Sequence, residues 1–226
     1  MIRFLGVGHA YGDRTVLRDV EVTLAERRIG VIGANGSGKS TLARMINGLV
    51  LPERGRVEVN GLDTAREGRD VRRQVGFIFA DPDTQIVMPT VAEDVAFSLR
   101  RHRTSREESA RRTTAVLERF GLAGHADHPA HLLSSGQKQL LALASVLVTE
   151  PRVLVCDEPT TLLDLRNADE VERLVAGLDQ QVVMVTHRLA MVESWERVIV
   201  IDEGRIVADG PGGESVPRYV AMMRTR

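Results

Sequence analysis

The chain has 226 residues, a formal net charge of −1, 43% hydrophobic and 4% aromatic residues, and one cysteine. That length holds one α/β domain with a sizeable core, divided at most into lobes. The charge leaves no basic footprint for nucleic acid, the lone Cys156 excludes an internal disulfide framework and fits a reducing cytosol, and no apolar run approaches the roughly 20 residues that span a bilayer.

Residues 1–25 alternate apolar and polar positions (Ile2, Phe4, Val7; Val16, Val20, Val22, Leu24), the pattern of half-buried antiparallel strands. Met1-Ile2-Arg3-Phe4 enters the first strand directly, so no signal peptide is expected. Tyr11 falls in the predicted turn His9–Asp13, where an aromatic ring can stack on an adenine. Arg28–Ile32 reads as a buried parallel strand. It leads into Gly33-Ala34-Asn35-Gly36-Ser37-Gly38-Lys39-Ser40 and then an amphipathic helix stopped by Gly48. This is G-x-x-x-x-G-K-S between a strand and a helix. Glycines let the loop turn its N–H groups onto phosphate, and the helix adds its positive end. Lys39 is placed to reach the β- and γ-phosphates, and the Ser40 hydroxyl to hold Mg²⁺. Only Lys39 and Lys138 are lysines among 30 basic residues. A lysine kept at position 39 in so arginine-rich a chain points to a chemical need for a compact ammonium.

Arg56–Gly61 reads as a strand and turn, and Val75–Phe79 as a buried strand opening into the loop Ala80–Pro89. Thr90, with Glu93 three residues on, forms a predicted capping box before helices over 91–102 and 105–120. The charged face of the second helix (Arg106, Glu107, Glu108, Arg111, Arg112) reads as solvated. His125, His128 and His131 recur every third residue. With Pro129 among them, they read as a polar loop rather than a metal site. Leu133–Gln139 opens a long apolar helix over Leu140–Val148, a second loop-to-helix start rich in Ser and Gly. Arg152–Cys156 is a buried strand ending in Asp157-Glu158, and Val182–Thr186 another ending in His187. Acidic residues at the carboxyl end of a parallel strand are where such sheets place ligands. Arg197–Asp202 and Arg205–Asp209 form a hairpin about Glu203-Gly204, and the tail from Pro217 a helix.

The phosphate loop alone leaves kinases, GTPases and ATPases open. The remaining motifs decide: Leu133–Gln139 resembles the signature of ABC-type ATPases, Val153–Glu158 their Walker B strand with its glutamate, Thr161–Asp164 their D-loop, Val185-Thr186-His187 their switch histidine, and Tyr11 their adenine-stacking aromatic. A P-loop kinase carries no such signature. The resemblance implies an α/β P-loop NTPase fold: a RecA-like core, an antiparallel β lobe, and a helical lobe of about 90–150 carrying the signature, all within a single domain over 1–226. It also implies ATP and Mg²⁺ as cofactors and a head-to-tail pair of ATPase subunits, identical or not, with ATP between them. The residues it assigns to nucleotide are Tyr11, Asn35, Gly36, Ser37, Gly38, Lys39, Ser40 and Thr41 of one subunit, and Ser134, Gly136 and Gln137 of the other. It assigns Ser40 and Asp157 to the metal, with Gln85 expected as a further metal contact, Glu158 as general base, and His187 to the γ-phosphate.

Within these ATPases, Val75–Leu99 resembles the subunits of energy-coupling-factor importers, and Met88–Val91 and Glu158–Asn167 are most similar to those of dedicated biotin importers. This implies an integral membrane coupling (T) subunit and a substrate-binding (S) subunit as partners, a peripheral place on the cytoplasmic face of the cell membrane, and no nucleic acid. The alternatives are a cobalt or nickel importer of the same group, another ABC transporter, or a soluble ABC ATPase. Three positions depart from the family pattern. Ala80 stands where a glutamine usually follows the strand, so that role is expected of Gln85, with the helix after it as the surface toward the membrane partner. Ser135 replaces a glycine of the signature and Leu140 a common arginine.

Overall fold

The computed structural model describes residues 1–102 and 104–225. In chain order the strands and α-helices are β1 (Ile2–Tyr11), β2 (Arg14–Leu24), β3 (Arg28–Gly33), α1 (Lys39–Ile46), β4 (Arg54–Val59), β5 (Leu62–Asp63), α2 (Gly68–Gln74), β6 (Val75–Ile78), α3 (Val91–Leu99), α4 (Arg106–Arg119), α5 (Ser135–Leu147), β7 (Val153–Asp157), α6 (Leu165–Ala176), β8 (Gln181–Val185), α7 (Leu189–Val192), β9 (Arg197–Asp202), β10 (Arg205–Gly210) and α8 (Gly212–Arg224). They divide into two compact units. The first holds Met1–Val75, Arg152–Glu158 and Leu178–Arg226, and the second Gly76–Pro151 and Pro159–Gly177.

In the first unit, β2-β1-β4-β5 form an antiparallel sheet, with Phe4 opposite both Val22 and Val57. Irregular register along β1 coils this sheet. A second sheet runs β10-β9-β3-β8-β7, parallel except at the β9–β10 hairpin. Its central strands are buried throughout: Ile29–Gly33, Val153–Asp157, Val182–Val185 and Val198–Asp202. Strands covered on both faces read as continuous apolar runs rather than alternating ones. Because β3, β8 and β7 are parallel neighbours, their carboxyl ends (Gly33, Val185 and Asp157) lie at one edge of the sheet. That is the place where open parallel sheets bind ligands.

The second unit is built on α3, α4, α5 and α6, with α5 packed against the other three. The capping box at Thr90 is present: its Oγ1 accepts from Glu93 N at 3.4 Å, and Thr90 N donates to Glu93 Oε2 at 3.2 Å. Asp94 is buried, with both oxygens satisfied: Oδ1 accepts from Val87 N and Met88 N at 2.8 and 3.1 Å, and Oδ2 from Ser145 Oγ at 2.8 Å. One carboxylate thereby ties the loop ahead of α3 to the middle of α5.

Several boundaries differ from the sequence expectation. Tyr11 closes β1 rather than sitting inside a turn, which is left to Gly12 and Asp13. Helix α5 begins at Ser135, five residues before the apolar run, because Ser134 caps it. Helix α8 begins at Gly212 and carries Pro217 inside it. Gly212 N donates to Trp195 O at 3.0 Å, and Pro211 O accepts from Glu214 and Ser215 N, so the first turn forms ahead of the proline.

Candidate active site

The loop after β3 can only be built with glycine at its two ends. At Gly33 (φ 150°) a Cβ would stand 2.0 Å from Ile201 O. At Gly38 (φ 109°) it would stand 2.7 Å from Val16 O. Pinned between β9 and β2, the loop turns Ser37 N back onto Ala34 O at 3.2 Å and runs into α1. No side chain caps the start of α1, and no acidic residue occupies its first turn. Those free amides and the positive helix end suit an anion.

Lys39 is buried, and its Nζ donates to Gly33 O at 3.0 Å and Ala34 O at 2.9 Å, folded back over the loop. Burial pushes its ammonium below the ordinary lysine range, against the pull of Glu158 and Asp157. Ser40 Oγ donates to Asp157 Oδ1 at 2.7 Å, and Arg44 lies 3.4 Å from Asp157 Oδ2. Burial raises the Asp157 carboxyl above the usual carboxylate range, while the Ser40 hydrogen bond and Arg44 lower it. A hydroxyl and a carboxylate side by side are the hard oxygen donors that Mg²⁺ takes, and two such groups leave room for phosphate oxygens and water. The residues therefore fit a Mg²⁺–nucleotide.

Beyond β7 the backbone turns left-handed at Glu158 (φ 56°), whose N–H donates to Val185 O at 3.0 Å. This aims the side chain across the strand ends, where Oε1 meets His187 Nε2 at 2.7 Å. Tyr11, Asn35, Gly36, Gly38, Lys39, Ser40, Thr41 and Glu158 line one cleft of about 320 Å³. Tyr11 is half exposed there, its ring set edge-on to His9 at 4.7 Å. Of the expected nucleotide residues in this unit, Ser37 alone is not part of the lining; it is buried with its hydroxyl unpartnered. Arg14 and Val16 also line the cleft and escaped the sequence reading. The hairpin that carries Tyr11 could have pointed to both.

Ser134, Gly136, Gln137 and Gln85 belong to the second unit. Ser134 caps α5 in a full capping box: its Oγ accepts from Gln137 N at 3.3 Å, and its N–H donates to Gln137 Oε1 at 2.9 Å. The Gln137 amide nitrogen lies 3.2 Å from His125 Nε2. Gly136 is buried, and a Cβ on it would stand 2.5 Å from the Asn167 carboxamide, itself held by Asp164 at 2.8 Å. Lys138 pairs with Asp83 at 2.8 Å. Gln85 is engaged by the end of β6, accepting from Phe79 N at 3.4 Å and donating to Phe77 O at 3.2 Å. His125 packs edge-on to His128 at 5.8 Å. Among the described residues, no group of three or more His, Cys, Asp or Glu is placed to hold a metal ion by itself.

The ABC transporter family profile matches residues 17–161. A biotin transport ATP-binding protein, BioM, of Rhizobium etli is 48% identical over 96% of this chain and 97% of its own length. An energy-coupling factor transporter ATP-binding protein, EcfA1, of Caldanaerobacter subterraneus is 40% identical over 86% of this chain and 73% of its own. Among solved structures, a dimeric ATP-binding cassette in a post-hydrolysis state, bound to ADP and Pi, superimposes with a TM-score of 0.82 at 28% identity, covering 93% of this chain and 98% of the other.

Proposed function

This chain belongs to the ABC transporter family of ATPases, and on that premise we propose that it is the ATP-hydrolysing subunit of an energy-coupling-factor importer that takes up biotin. The observation that carries the reading is the 48% identity, over nearly the full length of both chains, to a protein named for biotin transport. On this reading residues 1–226 are one ABC ATPase domain with a helical lobe of about 90–150. Among the described residues no helix is long and apolar enough to cross a membrane. The reading therefore gives the crossing to a coupling subunit and a substrate-binding subunit, and places this chain peripherally on the cytoplasmic face.

In the mechanism we propose, ATP lays its phosphates along Gly36–Ser40 and the start of α1, and stacks its base on Tyr11. Asn35, Ser37 and Thr41 complete the loop's contacts. Lys39 trades the carbonyls of Gly33 and Ala34 for phosphate oxygens. Ser40 and Asp157 would hold Mg²⁺, with Gln85 as the further contact this reading assigns, and the ion when bound would supply charge neutralisation at the phosphates. Water attacks the γ-phosphorus in line, its proton passes to Glu158, and ADP leaves. The His187 imidazole already shares a hydrogen bond with Glu158, so it holds the base and the γ-phosphate in one geometry. Ser134, Gly136 and Gln137 of a second subunit close over the nucleotide. ATP therefore favours the closed pair and hydrolysis releases it.

Glu158→Gln is expected to lower turnover by on the order of 10²–10⁴ while ATP still binds and an ATP-bound dimer accumulates in light scattering. The cargo is tested by affinity capture from mild-detergent membranes, with mass spectrometry and labelled uptake. Recovery of a small integral protein that binds biotin, with a larger coupling subunit, is the expected result. Cobalt or nickel uptake with the same architecture would replace the cargo, and absence of any membrane partner would overturn the importer reading.

A further inference from the structure

Tyr11 and Arg14 face each other across the two-residue turn at Gly12-Asp13, the last pair of the β1–β2 ladder. The strand that begins at Arg14 then passes the phosphate loop closely, with Val16 O against Gly38. This passage carries the Arg14 guanidinium onto the loop's rim: a Cβ built on Gly36 would lie 3.0 Å from its Nη2. Arg14 is exposed, lines the same cleft as Lys39, Ser40 and Thr41, and has no hydrogen-bond or ion-pair partner among the described residues. Several other arginines of this unit are tied to carboxylates. Arg197 bonds Asp209 and Glu26, Arg27 bonds Asp179, and Arg56 bonds Glu58. An unpaired guanidinium resting at Gly36, beside the uncapped start of α1, is a fork of donors left for an anion that binds there. The buried Lys39 ammonium, by contrast, is already bonded to two carbonyls of the loop.

We propose that Arg14 is a second phosphate-binding cation of this site, gripping the phosphate chain of the nucleotide from the rim while Lys39 does so from within. The base-stacking ring and the rim cation then sit on one hairpin, so a single turn reads both ends of the nucleotide. The inference rests on the nucleotide reading of the cleft.

The test measures ATP and adenosine affinity, by displacement of a fluorescent ATP analogue, for the full chain and for Arg14→Ala, Arg14→Lys and Lys39→Ala, each checked for an unchanged circular-dichroism melt. One charge-assisted contact predicts roughly 10- to 100-fold weaker ATP binding in Arg14→Ala, with adenosine affinity unchanged and partial recovery in Arg14→Lys. Unchanged ATP affinity would overturn the proposal. So would equal losses for ATP and adenosine, because Arg14 would then only shape the turn that holds Tyr11. If Lys39→Ala also left ATP binding intact, the nucleotide reading of the cleft would fall with it.

Discussion

Helices α1 and α5 both begin in loops of glycine and serine, yet they begin differently. Gly38 leads into α1 in a left-handed conformation, and no side chain bonds the first amides of that helix. Ser134 leads into α5 extended, and the Ser134–Gln137 capping box satisfies both partners. What the two share is the absence of acid: neither has a carboxylate in its first turn. The starts of α3 and α4, by contrast, carry Glu93 and Asp94, and Glu107 and Glu108. Those two starts thus neutralise their own positive ends, whereas the starts of α1 and α5 leave that end without a carboxylate. Of those two, α1 offers bare amides at once. Helix α5 offers donors that are already in use and must be exchanged.

Glycine substitution presses hardest on this comparison. At Gly38 an added methyl meets the Val16 backbone carbonyl at a φ of 109°. Nothing there can swing aside, and Gly38→Ala should cost about 3 kcal/mol in urea denaturation. At Gly136 the methyl meets only the Asn167 side chain. Gly136→Ala should therefore cost about 1–2 kcal/mol, most of it recovered when Asn167→Ala is added. Equal costs at the two glycines, with no recovery, would mean the two loops are constrained alike. A smaller effect is expected from Ser134→Ala, about 1 kcal/mol from the lost cap. Faster amide exchange should be confined to the first turn of α5, since α1 has no such cap to lose. The smallest concerns α4 as the ordinary case. Hydrogen bonds from Arg111 and Arg112 hold Glu108 at about 2, below its ordinary 4.5. A depressed carboxyl stabilises the fold above its unfolded value and loses that contribution as pH falls toward the folded one. Glu108→Gln should therefore lower the melting temperature slightly near neutral pH. The gap to the parent chain should close between about pH 4.5 and pH 2, and the effect stays small because these side chains are solvent-screened. A gap that widened on acidification would reverse the assignment.

Much of this was legible beforehand because it is local. The strand–loop–helix around Gly33–Lys39, the Thr90–Glu93 box and the apolar runs of β3, β7 and β8 each depend on neighbours within a few residues, and all appear where expected. Some misses came from long-range partners. Helix α8 starts early because Gly212 bonds Trp195, whereas a proline by itself suggests a first helical residue at Pro217. Helix α2 is short and polar, with only Val71 buried, and left no periodic trace. Helix α6 follows the Asp164 cap and buries Ala168, Val171 and Val175, a local pattern absent from the expected elements. Arg14 drew no notice as one arginine among many. What distinguishes it is a glycine 22 residues away, brought to it by the fold.

The left-handed backbone at Glu158 carries a consequence for how this sequence can drift. A residue with a Cβ is uncomfortable at φ 56°, and glycine or asparagine would relax there. A laboratory selection that rewarded heat resistance alone would thus tend to replace Glu158 and discard the proposed general base while improving the fold. Only a selection that also demanded turnover would keep the carboxylate, so the side chain at this one position records which of the two a lineage has been asked for.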